Sequence, residues 1–194
     1  MKQHPTEPKK IEPKETNQNS LCWMNGNQCR PEDATLSIFD HGVLYGDGVF
    51  EGIRFYHHKP LLVNDHIERL FASANSIEIT IPYTTAELID AMTTLCEQAS
   101  FSHGYIRLVV TRGAGAIGLN PIGCGPANVF MIIAELNMMP TNAIHQGITT
   151  IIATTRRISA SALDPRIKSL NYLNNILAKQ EANRANVDEA ILLN

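Results

Sequence analysis

Aromatic residues are scarce in this chain of 194 residues: they make up 6% of it, with a single Trp at position 23. A stacking platform for single-stranded nucleic acid needs more of them. A formal net charge of -3 adds no general attraction to nucleic acid or to a membrane surface. Cysteine is equally sparse. Cys22, Cys29, Cys96 and Cys124 form no CxxC pair and match no zinc spacing. Free thiols in a reducing compartment are therefore expected, with no metal site. No apolar run reaches membrane-spanning length, and the first residues carry no apolar signal core. The expectation is a soluble, cytoplasmic protein that handles small molecules, with no nucleic-acid and no membrane partner.

What is present is enough apolar material for a packed core, 44% of residues, and a length that suits one large domain or two small ones. Residues 1–20 are dominated by Lys, Glu, Pro, Asn and Gln, with Ile11 the one large apolar residue after Met1. They read as a disordered tail. Strands are expected at Leu21–Asn25, Tyr105–Thr111, Val129–Leu136, Gly147–Thr155 and, near the end, Asp188–Leu193. A hairpin is expected from Val49–Tyr56 and Leu61–Val63. Helical spacing predicts Asp65–Ser76 with Asn64 as N-cap, and a helix from a Thr84/Glu87 capping box to about Ala99. It also predicts a helix from Ser169 to about Asn186, with Leu170, Leu173, Ile176 and Leu177 on one face. Met138–Gln146, with Pro140, reads as a linker between two lobes.

Gly113-Ala-Gly115-Ala-Ile-Gly118 matches the letters of a dinucleotide-binding fingerprint, with Glu135 downstream. The pyrophosphate in such a site rests on a helix that starts inside the motif. Pro121, Gly123, Gly125 and Pro126 follow here and oppose that helix. A surface loop between two strands is the expectation.

Two stretches carry chemistry. Lys168 lies where a loop gives way to a predicted helix, and a lysine amine so placed can form a Schiff base with an aldehyde or ketone. Asp40-His-Gly-Val-Leu-Tyr45-Gly-Asp-Gly-Val-Phe50-Glu-Gly52 has Gly42, Gly46, Gly48 and Gly52 in close succession, marking backbone that turns tightly or is closely approached. Tyr105 and Arg107 alternate with Ile106, so both side chains share one strand face. His41, His66 and His103 read as structural or solvated rather than as proton donors.

Taken in order, DHGVLYGDGVFEG, His66-Ile-Glu-Arg69-Leu, Tyr105-Ile-Arg107 with Thr111-Arg-Gly113, and Lys168-Ser-Leu-Asn-Tyr172 resemble the class IV pyridoxal-phosphate aminotransferases. That family includes branched-chain amino-acid aminotransferase, D-amino-acid aminotransferase and aminodeoxychorismate lyase. The resemblance runs from about Trp23 to the end of the chain.

It implies an α+β fold of type IV: an N-terminal lobe over 21–137, a linker over 138–146, and the start of a larger cofactor-binding lobe over 147–194. It implies pyridoxal 5'-phosphate as cofactor, with Lys168 as the Schiff-base lysine that later shuttles the Cα proton. Arg69 is implied as the phosphate partner and Tyr172 as a neighbour of the cofactor's 3'-oxygen. Phe50, Tyr105 and Arg107 are implied as substrate contacts, and Tyr45 as a residue reaching a neighbouring subunit in a homodimer. The residues after Thr111-Arg-Gly113 are apolar where the D-amino-acid branch tends to be basic, so transamination of branched-chain amino acids with 2-oxoglutarate is expected first. D-amino-acid transamination or lyase activity comes second, and a non-catalytic dimerising fragment is the reading from another class. The resemblance also implies that the second lobe continues beyond Asn194. That continuation would supply an acid for the cofactor's ring nitrogen, further phosphate donors and the turn for the substrate carboxylate. Glu189 lies too early to be that acid, so the 194 residues acting alone are expected to turn over poorly.

Overall fold

The computed structural model of the protein describes residues 19–135 and 143–194. Most of the expected tail, and residues 138–142 of the expected linker, lie outside the described residues. The chain begins with β1 (Leu21–Met24) and β2 (Asn27–Cys29), joined through Asn25-Gly26 with both residues at positive φ. Five residues, His41–Tyr45, form the short helix α1. Then follow β3 (Gly48–Tyr56), β4 (Lys59–Pro60), α2 (Val63–Ser76), α3 (Thr85–Gln98), β5 (His103–Thr111) and β6 (Asn128–Ala134). The six strands make one sheet in the order β2-β1-β6-β5-β3-β4, with every pair antiparallel.

Strand alternation decides what each face does. Val49, Ile53 and Phe55 of β3, Ile106, Leu108 and Val110 of β5, and Val129, Met131 and Ile133 of β6 point one way. They bury themselves against Ile67, Leu70 and Ala74 of α2 and Leu88, Met92 and Leu95 of α3. The opposite face, carrying Phe50, Gly52, Tyr105 and Arg107, is left for the site. The Thr84/Glu87 capping box forms as expected, with both reciprocal hydrogen bonds in place.

The second part of the chain contains α4 (Ala143–Gln146), β7 (Thr150–Ile152), α5 (Leu173–Arg184) and β8 (Glu189–Ile191), with β7 and β8 parallel. No helix among the described residues is long and apolar enough to cross a membrane.

Several expectations are corrected. The hairpin closes two residues earlier than expected. His57 and His58 both adopt positive φ, which makes a tight turn, so Lys59–Pro60 and not Leu61–Val63 forms the return strand. Leu62, also at positive φ, precedes a helix that starts at Val63, so Asn64 is inside the first turn and caps nothing. The strand expected over Gly147–Thr155 is confined to Thr150–Ile152. The expected helix after Lys168 starts only at Leu173. The reason is long-range: the Phe50 amide donates to the Lys168 carbonyl at 3.0 Å, and the Leu170 amide donates to the Gly48 carbonyl at 2.9 Å. Residues 168–170 therefore extend the ladder of β3, and backbone committed to a ladder cannot coil. The apolar face read for α5 is not its buried face either. Leu173, Ile176 and Leu177 are exposed, while Ala178 and Ala182 are buried.

Candidate active site

Lys168 is held by its backbone. Its carbonyl pairs with β3 as described, and its amide donates to the Ser73 hydroxyl on α2 at 3.2 Å. The backbone of Lys168 is thus set by the core sheet and the helix packed on it. The amine lies 3.3 Å from the Tyr172 hydroxyl. It is 4.7 Å from the centre of the Phe50 ring. The Tyr172 ring meets the Phe50 ring edge-on, with centroids 4.8 Å apart. The Arg107 guanidinium stacks over the same Phe50 ring at 3.7 Å, and its Nη1 donates to the Tyr105 hydroxyl at 3.3 Å. Phe50 is therefore the hub around which Lys168, Tyr172, Arg107 and, through Arg107, Tyr105 gather. Tyr105, paired with Arg54 on β3, can lie diagonally across the sheet because it reaches over Gly52, where a Cβ would collide with the Tyr105 hydroxyl.

A cleft of about 160 Å³ opens beside this hub, lined by Arg69, Arg157, Arg166, Lys168, Asn171 and Tyr172 among others. Arg166 is paired with Asp164, and its side-chain and backbone hydrogen bonds hold that carboxyl down at about 2. Arg69 projects from α2, with its side chain 51% exposed. Its Nε and Nη2 donate to the two carboxylate oxygens of Glu51 at 2.6 and 2.7 Å. Nη1 makes no hydrogen bond among the described residues. The structure thus brings Arg69 to the cleft of Lys168 and Tyr172.

Tyr45 stands apart from this group. Its hydroxyl accepts from the Gly118 amide at 2.7 Å, and its ring meets His41 edge-on. His41, 1% exposed, also contacts the Ala116 carbonyl through Nε2 at 3.0 Å. These bonds pin the loop after Gly113, which contains no helix, so the nucleotide fingerprint has no helix end to work with. Glu189, set aside as a ring-nitrogen partner, lies 3.3 Å from Lys179.

The glycine-rich segment fastens the site to the sheet. Asp40, fully buried, caps α1 through the Gly42 amide at 2.7 Å and also accepts from Thr111 and Asn128. The Gly46 carbonyl accepts from Asn171, three residues beyond Lys168. Asp47 forms a forked pair with Arg112.

One site residue escapes the sequence reading: Glu51. It shares the parity of Val49, Ile53 and Phe55, so it faces the core, and a carboxylate in that register is the available signal. Besides Arg69 it contacts His66 Nδ1 at 2.9 Å. Burial pushes the Glu51 carboxyl up, but the hydrogen bonds and charges of Arg69 and His66 outweigh burial and leave its pKa below the ordinary glutamate value. A depressed folded-state pKa stabilises the fold at pH above the ordinary value of 4.5, and that contribution fades as pH falls through the folded-state pKa. In urea titrations, the stability gap between wild type and Glu51→Gln should therefore hold at pH well above 4.5 and shrink as pH falls below that value. A gap that does not change with pH would contradict the ionised pairing.

Residues 48–194 match the family model described as amino-transferase class IV. The chain belongs to this family. Among its class IV relatives, a putative branched-chain-amino-acid aminotransferase of Methanocaldococcus jannaschii is 47% identical over 171 residues, covering 88% of this chain and 58% of the relative. A D-alanine aminotransferase of Listeria monocytogenes is 37% identical over 175 residues, covering 87% of this chain and 58% of the relative. Among solved structures, a T.th. branched-chain amino acid aminotransferase, complexed with N-(5'-phosphopyridoxyl)-L-glutamate, superposes with a TM-score of 0.82 at 34% identity. That match covers 90% of this chain and 58% of the solved one. The class IV chain therefore spans well under two thirds of the length of these relatives, and its α+β fold is that of the fold-type-IV enzymes.

The residues present can be tested against the family's pyridoxal phosphate. An aldehyde needs an amine, a phosphate needs a fixed cation with a donor edge to spare, and a phenolate oxygen is suited by a hydroxyl. Lys168, Arg69 and Tyr172 are those groups, and all three line one cleft. They fit the cofactor.

Proposed function

We propose that the chain is the pyridoxal-phosphate-binding part of a transaminase that moves amino groups between branched-chain amino acids and 2-oxoglutarate. The observation that carries this reading is the convergence on Phe50: an amine, a tyrosine ring and an arginine cation surround one apolar ring. Bound pyridoxal phosphate supplies an electrophilic carbon and an electron sink for the pair left on a substrate's Cα. In this reading Lys168 anchors the cofactor and then, as a free amine, takes the Cα proton at Nζ. Tyr172 holds that amine in place. Arg69 binds the phosphate with its unused edge. Phe50 offers an apolar wall to a branched side chain, and Arg107, braced by Tyr105, offers a cation to the distal carboxylate of the second substrate. The same pocket thus accepts two unlike partners in turn.

A homodimer belongs to this proposal. Ile38, Val43, Leu44, Ile117, Leu119 and Ile122 are exposed on the segments that Tyr45 and His41 tie together, and apolar surface of this kind favours burial against another copy. We also retain the cytoplasm as its compartment.

Similarity to a D-alanine aminotransferase supplies the second reading. Donor profiling separates the two. Leucine, isoleucine and valine should each be used with 2-oxoglutarate at least about tenfold better, by kcat/KM, than D-alanine. Preference for D-alanine would overturn the proposal.

A further inference from the structure

Glu51 is an ion in a place made for hydrocarbon. Its side chain has no solvent exposure, and its neighbours of like parity on β3 are Val49, Ile53 and Phe55. Taking a carboxylate out of water is costly, and apolar replacements often serve a core as well or better. What the carboxylate does supply is a grip on Arg69. Both of its oxygens are engaged by that guanidinium, and His66, one turn earlier on α2, closes on Oε2 from the same helix face.

We infer that Glu51 is a positioning residue that fixes the Arg69 guanidinium so that its remaining edge faces a phosphate group in the Lys168 cleft. The inference rests on the reading of Arg69 as the phosphate partner. A long arginine side chain that is half exposed samples many rotamers. Two hydrogen bonds to a buried, immobile acceptor remove that freedom during folding, so the ligand does not have to remove it on binding. The carboxylate also has an opposing effect, because its charge neutralises part of the cation. That effect is screened by water at a side chain 51% exposed, and Arg157, Arg166 and Lys168 line the same cleft. Orientation therefore outweighs neutralisation.

The test titrates two ligands, pyridoxal phosphate and pyridoxal, onto the 194-residue chain as wild type, Glu51→Gln, Arg69→Gln and the double variant. Dissociation constants are read by calorimetry, and the fold is checked by thermal unfolding. Glu51→Gln should weaken pyridoxal phosphate on the order of tenfold, as loss of an orienting partner commonly does, and leave pyridoxal unchanged. In the Arg69→Gln background it should add no further loss. Equal weakening of both ligands, undiminished or tighter phosphate binding, or an additive loss in the double variant would overturn the inference. If Arg69→Gln binds the two ligands with unaltered discrimination, the assignment of Arg69 itself fails. If Arg69→Gln discriminates and Glu51→Gln is silent, only the role of Glu51 fails. Should Glu51→Gln not fold, Glu51→Asp keeps the charge and shortens the reach. The same selective loss is expected there, and its absence overturns the inference.

Discussion

Lys168→Ala should remove the visible absorption band that pyridoxal phosphate acquires when bound through a lysine, and lower any transamination rate by about 10⁴-fold or more. The substitution takes away the amine and nothing that shapes the backbone. The Lys168 carbonyl still accepts from Phe50, and its amide still donates to Ser73. The fold should persist, with an unfolding midpoint close to wild type, so a lost band reads as lost chemistry. Lys168→Arg sharpens the result. It keeps a cation near the Phe50 ring but cannot condense with an aldehyde, and it should behave like the alanine variant. A band that survives in Lys168→Ala would assign the anchor to some other amine, and the functional reading would fall with it.

The second large effect is one of stability. Asp40→Ala should cost about 3 kcal/mol. The carboxylate is fully buried and takes three hydrogen bonds, from the Gly42 amide, the Thr111 hydroxyl and the Asn128 side-chain amide, all within 2.7 to 2.8 Å. Alanine leaves three buried donors without their acceptor. Loss of the helix cap alone accounts for about 1 kcal/mol. Asp40→Asn should cost roughly half as much. Its oxygen can still receive the Gly42 amide, but its own NH₂ then faces the Asn128 donor. Asn128 cannot simply turn over, because its other atom accepts from Asn25 at 2.8 Å, and Asn25 in turn receives the Val129 amide. Chemical denaturation measures both variants. A loss below about 1 kcal/mol for alanine would mean that the network relaxes onto water.

What can be read from the sequence is local. The Thr84/Glu87 capping box needs only residues three apart, and the apolar spacing of Ile67, Leu70 and Ala74 needs only one helix face. Both form as expected. The letters around Lys168, Arg69 and Tyr172 are legible through resemblance, and the three side chains meet at one cleft. What is not legible depends on partners far along the chain. The start of α5 falls later than its spacing predicts because residues 168–170 pair with β3, more than a hundred residues earlier. Glu51 reads as one letter among glycines, since its partners His66 and Arg69 come 15 and 18 residues later on a different element. The apolar spacing of Leu173, Ile176 and Leu177 is real, but spacing does not say whether anything covers a face, and in this structure they are exposed.

The short ladder between β3 and residues 168–170 has a mechanical consequence. Phe50 and Lys168 are joined by a backbone hydrogen bond, so the two residues spring from the same stiff plank. Hinge motion elsewhere in the protein can swing a partner surface toward or away from them. It leaves the backbones of Phe50 and Lys168 in register with each other. Under the function proposed above, the residue that would wall the substrate and the residue that would move the proton therefore share one frame of reference.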